Sequence, residues 1–114
     1  MLNLILFDWK ILSLESNARI LGDREVFVQV GSDINLTCRA EDSPEPPAKV
    51  IWLKDGVRID SLLARGGIAV VTESRRRASR LLVSKVNKND AGRYTCAPED
   101  ARSDTVSVFI IDGE

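Results

Sequence analysis

An all-β sandwich, two sheets bridged by one cysteine pair, is the fold class this chain predicts, on three observations. Apolar residues recur at every second position in short runs, the spacing at which side chains share one face of a strand. No stretch holds a 3.6-residue period, and turn-forming Gly, Pro, Asn and Asp separate the runs. Two cysteines, Cys38 and Cys96, fall on inward positions of different runs, with Trp52 between them.

From residue 19 onward the runs follow one another. "REVFVQV" (24–30) puts Val26, Val28 and Val30 on one face and is ended by Gly31 and Ser32. "INLTC" (34–38) turns Ile34, Leu36 and Cys38 inward, leaving Asn35 and Thr37 outward. "EDSPEPPA" (41–48) is a loop, since its prolines fix φ and remove ladder donors. "KVIWLKDG" (49–56) carries Val50 and Trp52 inward and ends in an Asp-Gly turn. "GGIAVVTE" (66–73) and "SRLLVSKV" (79–86) flank a basic turn, "SRRRAS", and Leu81, Val83 and Val86 face the core. "DAGRYTC" (90–96) sends Tyr94 and Cys96 to one face, Arg93 and Thr95 to the other. "DTVSVFII" (104–111) closes the chain with Val106, Val108 and Ile110 inward. Eight or so such strands argue a two-sheet sandwich.

The chain of 114 residues suits one domain. Sixteen basic and seventeen acidic residues leave a net charge of −1, so no global field recruits nucleic acid or an anionic membrane. Histidine is absent, which removes the commonest general base, the commonest zinc ligand and every Ser-His or Cys-His pair. Two cysteines are too few for a closed zinc site. Asp55, Asp60, Asp90 and Asp100 lie on separate turns and form no paired carboxylates. The chain therefore reads as a non-enzyme with no catalytic residue, cofactor or metal.

Two cysteines by count alone fit either two buried thiols of a cytosolic protein or one disulfide of a secreted one. The Cys38…Trp52…Cys96 pattern on inward positions decides for the disulfide: it is the immunoglobulin-like signature, in which the bridge pins the sheets and the indole packs on it. Tyr94, two residues before the second cysteine, fits the tyrosine corner. Gly92 admits a sharp turn into that strand. Asp90 accepts hydrogen bonds at the turn or pairs with an arginine, two roles the sequence leaves open. "WLKDG" after the tryptophan resembles the intermediate immunoglobulin set.

"NLT" (35–37) makes Asn35 an N-glycosylation acceptor on the outward face of its strand. Arg75, Arg76, Arg77 and Arg80 form a dense basic patch, read as a solvated turn ahead of a heparan-sulfate or phospholipid contact. "RRAS" resembles a kinase acceptor at Ser79, which an extracellular domain would not use. "PEPP" (44–47) scans as a Pro-x-x-Pro ligand, yet strands tether it at both ends, so a stiff loop is the better reading.

"ILGDRE", "GSDINLTC", "SPEPPAKVIW", "RGGIAVVTE", "ASRLLV" and "DAGRYTCAP", in this order, resemble the second immunoglobulin domain of the defective proboscis extension response (Dpr) proteins. The resemblance covers residues 18–114, and "RGGIAVVTE" followed by "SRLLV" is its most discriminating part. It implies a neuronal cell-surface protein with two tandem immunoglobulin domains, a signal peptide and a lipid or transmembrane anchor. Such proteins pair with other immunoglobulin-superfamily surface proteins, the Dpr-interacting proteins, to organise synapses. That pairing is made chiefly by the first domain, so no partner-binding residue carries over; Cys38, Cys96, Trp52 and Tyr94 do.

Residues 1–17 depart from the family pattern and are expected to lie outside the domain, as a disordered segment or a gene-model artefact. "MLNLILFDWK" has neither the basic start nor the cleavage site of a secretory signal, and no run reaches membrane-spanning length. The leading expectation is a cell-surface recognition and adhesion module, the membrane-proximal domain of a neuronal receptor, with no nucleic-acid partner and no membrane segment in this chain. The alternatives are a structural intermediate-set domain of an intracellular filament protein and a secreted immunoglobulin-domain binder. Phe109 is read as the exposed anchor, since the inward set of the last strand is Val106, Val108 and Ile110.

Overall fold

Alternation of buried and exposed side chains builds two sheets that share one core. The computed structural model describes residues 17–41, 49–60, 65–99 and 101–112. In chain order the strands are β1 (Asn17–Ile20), β2 (Glu25–Gln29), β3 (Ile34–Glu41), β4 (Val50–Lys54), β5 (Val57–Arg58), β6 (Ile68–Glu73), β7 (Ala78–Val83), β8 (Gly92–Pro98) and β9 (Asp104–Ile111). One sheet runs β1-β3-β7-β6 and the other β2-β9-β8-β4-β5. All pairings are antiparallel except β2 on β9, which is parallel.

The inward positions read from the sequence meet in one cluster of buried residues that includes Ile34, Leu36, Cys38, Trp52, Leu81, Val83, Val86, Tyr94, Cys96, Val106 and Val108. Cys38 and Cys96 are bonded across it, joining the two sheets. Closing a loop with a sequence separation of 58 stabilises the fold by roughly 4 kcal/mol in the chain-entropy account. Trp52 stands directly opposite Cys96 in the β4–β8 register and is buried, so the indole and the bridge occupy the same inward layer.

Two strands escaped the alternation pattern. β1 is four residues long, and it opens at Asn17, one residue ahead of the boundary the sequence suggested. β5 is a two-residue edge strand reached through Asp55 (φ 50°) and Gly56 (φ 83°), the doubly left-handed turn that Asp-Gly favours. Val30 departs from expectation: β2 ends at Gln29, the chain turns away through Gly31 (φ 90°), and Val30 is exposed. The expectations for residues 1–16 and for "PEPP" (44–47) lie outside the described residues.

Between β1 and β2 the chain changes sheets within Leu21–Arg24. Asp104 at the start of β9 secures the crossing: it accepts the Ile20 N–H at 2.7 Å and the Arg24 guanidinium at 2.8 Å. Burial alone pushes the Asp104 carboxyl up; hydrogen bonds from Arg24 and from the Ile20 N–H outweigh that and hold it below the usual carboxylate range.

Candidate recognition face

Each sheet turns one face to solvent, and the two faces differ in chemistry. On the β2-β9-β8-β4-β5 sheet, parallel pairing places Phe27 opposite Phe109. Their rings stack with centroids 5.1 Å apart and planes 19° from parallel. Offset stacking of this kind is worth about 0.5–1.5 kcal/mol beyond area burial, yet Phe27 stays 62% and Phe109 42% exposed. Ile111, two residues further on the same side of β9, is exposed as well. Thr95 and Thr105 face each other across β8 and β9 with their hydroxyls 2.8 Å apart, and Leu53 of β4 pairs beside Thr95. Glu25, Ser107 and Arg93 form the row between the threonine pair and the aromatic pair, so Phe27, Phe109 and Ile111 make an apolar end of the face beside a charged row.

The sequence pointed to Phe109 alone. Phe27 belongs to the outward set of "REVFVQV", but the parallel β2–β9 partnership that pairs the two rings is a long-range feature no local pattern carries.

The remaining residues singled out in the sequence take structural positions. Tyr94 O–H donates to the Asp90 carbonyl at 2.6 Å, closing the tyrosine corner, and both residues are buried. Asp90 does both things the sequence left open. Its carboxylate accepts the Asn87 N–H at 2.8 Å, and it receives Arg65 through Nε at 2.7 Å and Nη2 at 2.6 Å. Burial would raise the Asp90 carboxyl, but the Arg65 and Asn87 hydrogen bonds prevail and hold it low. Arg65, which also reaches the Ser84 carbonyl, was missed because nothing in sequence ties it to a residue twenty-five positions later. Gly92 (φ 156°) leaves room for the Asp55 carboxylate: a Cβ there would lie 2.6 Å from Asp55 Oδ2, which would displace the group that accepts the Arg93 N–H. Leu81 is fully buried.

On the β1-β3-β7-β6 sheet, Asn35 is exposed in mid-strand of β3. Arg75 and Arg76 lie exposed in the one-turn 3-10 helix joining β6 to β7, Arg77 follows it in the left-handed region (φ 55°), and Arg80 points outward from β7. Ser79, the serine of "RRAS", is buried at 1% exposure and is a core residue, not an accessible acceptor. Among the described residues no cluster of three or more His, Cys, Asp or Glu could hold a metal ion, and no helix is long and apolar enough to cross a membrane.

Two sheets, the inter-sheet disulfide with its tryptophan, and the tyrosine corner define a class: an immunoglobulin-like sandwich. The chain belongs to the immunoglobulin domain family, whose model matches residues 24–109. It is 30% identical over 106 residues to protein borderless of Drosophila melanogaster, covering 88% of this chain and 14% of that protein. It is 34% identical over 71 residues to neural cell adhesion molecule 1 of Bos taurus, covering 62% of this chain and 8% of that protein. The chain thus spans a small part of the length of these relatives. Among solved structures it is similar to a chain in the crystal structure of Dpr2 Ig1–Ig2 in complex with DIP-Theta Ig1–Ig3, with a TM-score of 0.74 and 26% identity over 87% of this chain and 51% of that one. It is an immunoglobulin-superfamily domain of the kind found in cell-surface adhesion and receptor proteins, and not an enzyme.

Proposed function

We propose that this chain is a recognition and adhesion domain of a neuronal cell-surface receptor, the membrane-proximal member of a tandem immunoglobulin pair that takes part in partner matching at synapses. The observation that carries a recognition role is the exposed Phe27–Phe109 stack beside Ile111 at one end of a sheet face. Aromatic side chains are the anchors interfaces favour, and the Glu25–Ser107–Arg93 row beside them supplies a polar rim. The likeness to half of a chain in the complex of Dpr2 Ig1–Ig2 with DIP-Theta Ig1–Ig3 supports the tandem arrangement and the class of partner.

Three apolar side chains fall short of the roughly 1,000 Å² that a specific interface needs, so this face contributes to a contact whose larger share lies on a neighbouring domain. Asn35, exposed on β3 of the other sheet, lines the same groove as Phe27, so a glycan there borders the aromatic stack.

Multivalent display tests this reading, because avidity makes a weak contact measurable. Beads bearing many copies of the domain should bind cells that express immunoglobulin-superfamily ectodomains of the Dpr-interacting class, and beads bearing Phe27→Asp should not. Equal binding by both, or binding to none of these cells, would contradict it.

A further inference from the structure

The second solvent face, opposite the aromatic one, concentrates arginine in a way the short "SRRRAS" turn does not reveal. Register sets Arg19 of β1 directly opposite Arg39 of β3. Arg39 in turn pairs with Ala78 of β7, the residue that follows the Ser74–Arg77 turn, and Arg80 pairs with Thr37 on the same outward side of β3. The turn is held against this row by the Ala40 N–H, which donates to the Arg77 carbonyl at 2.9 Å. Arginines far apart in sequence therefore gather at one end of a single sheet face: Arg19, Arg39 and Arg80 from three strands, Arg75, Arg76 and Arg77 from the turn.

Glu73 lies among them, 3.6 Å from Arg76 and 3.4 Å from Arg80. One carboxylate shared by two solvent-exposed guanidiniums is a weak, screened contact that a stronger anion can replace. Arg19 and Arg77 make further contacts within the fold, so Arg39, Arg75, Arg76 and Arg80 are the groups best placed to turn outward.

We infer that this face is a binding site for a sulfated glycosaminoglycan. It goes beyond the recognition reading and shares with it only the extracellular setting. Guanidinium is the planar fork that grips oxyanions bidentately, and here it is displayed in rows across a flat sheet, matching a linear chain of repeated sulfates. Among the described residues no aromatic side chain on this face offers a platform for stacking nucleobases. Its exposed apolar side chain Val71 lies within the sheet rather than on an amphipathic helix of the kind that enters a bilayer. A chain with net charge −1 that gathers this many arginines on one face has a local field its composition does not show. Asn35 sits on the same face, two residues along β3 from the Thr37–Arg80 pair and four from Arg39, so a glycan there borders the site.

The test is binding of the glycosylated domain to immobilised heparin octasaccharide, beside fully desulfated heparin and phosphatidylserine vesicles. At about 0.15 M salt the sulfated sugar should bind saturably and the desulfated one should not. Binding should fall steeply as salt rises, because counterions are displaced. Arg39→Gln/Arg80→Gln and, independently, Arg75→Gln/Arg76→Gln should each weaken it about tenfold and lower the salt slope by roughly 2. Two variants from different elements guard against one of them failing to fold. Arg93→Gln, which removes one charge from the aromatic face, should alter affinity less than about twofold. Absence of saturable heparin binding, equal loss in Arg93→Gln, or binding to the vesicles alone would overturn the inference. Run on cells stripped of heparan sulfate, the bead experiment reads only the other face, so failure there and failure here are distinguishable.

Discussion

The indole N–H of Trp52 donates a 2.9 Å hydrogen bond to the hydroxyl of Ser79, across the core from one sheet to the other. Ser79 is buried, and its oxygen also lies 3.0 Å from Thr72 Oγ1. The polar end of the largest core side chain is thus satisfied inside the sandwich, where an unpaired donor would carry its full desolvation penalty. Ser79→Ala should cost about 1–3 kcal/mol in denaturant unfolding, since it strands the indole N–H without creating a large cavity. A loss below about 0.5 kcal/mol would mean the bond adds nothing beyond packing.

Tyr94 is the chain's single tyrosine, so its ionisation can be followed without interference. Burial, with the nearby Asp90 carboxylate, pushes the phenol well above its ordinary value. A group whose folded pKa is raised contributes stability that is complete below its unfolded pKa, about 10, and is lost as pH rises towards the folded value. Tyrosinate absorbance should therefore stay absent near pH 10 and appear together with unfolding at higher pH. Ionisation at an ordinary pH in the folded protein would show that the corner is open to water. Tyr94→Phe should cost about 1–2 kcal/mol by leaving the Asp90 carbonyl without its donor.

Asp90 and Asp104 have the opposite sign. Both carboxyls are held low in the folded state, so the stability they contribute is present above the unfolded pKa of about 4 and disappears as pH falls through their folded values. Asp90→Asn should lower stability at neutral pH by about 2 kcal/mol, less than for a fully buried pair because a quarter of the Arg65 side chain remains exposed. Its stability should then fall less steeply than that of the wild type below about pH 4. Parallel curves for the two proteins would contradict the linkage.

How much of this could be read from the sequence follows the range of the interactions. The period-two runs place Ile34, Leu36, Cys38, Trp52, Leu81, Tyr94, Cys96, Val106 and Val108 inward, and all of them are buried. Local alternation suffices for that. What it could not reach were pairings between distant elements: Arg65 on Asp90, Arg24 on Asp104, Trp52 on Ser79, Phe27 on Phe109. β1 and β5 were missed because four and two residues are too short to establish a period. The candidate site was half legible. Alternation marks Phe27 and Phe109 outward on separate strands, while their stacking depends on which strands lie side by side. The arginine face was seen only as its turn, because Arg19 and Arg39 join it through register alone.

The central claim is that the face carrying Phe27 and Phe109 is the recognition surface of this domain. Resonance-by-resonance titration of the isolated domain with an immunoglobulin-superfamily ectodomain of the Dpr-interacting class tests it most directly. Signals of Phe27, Phe109 and Ile111 should shift saturably, with a dissociation constant weaker than about 10 μM, while those of Arg39 and Arg80 stay still. Phe27→Asp should weaken binding about tenfold or more, as loss of an interface anchor does, and Arg39→Gln should leave it unchanged. Shifts confined to the arginine face, or undiminished binding by Phe27→Asp, would contradict the claim.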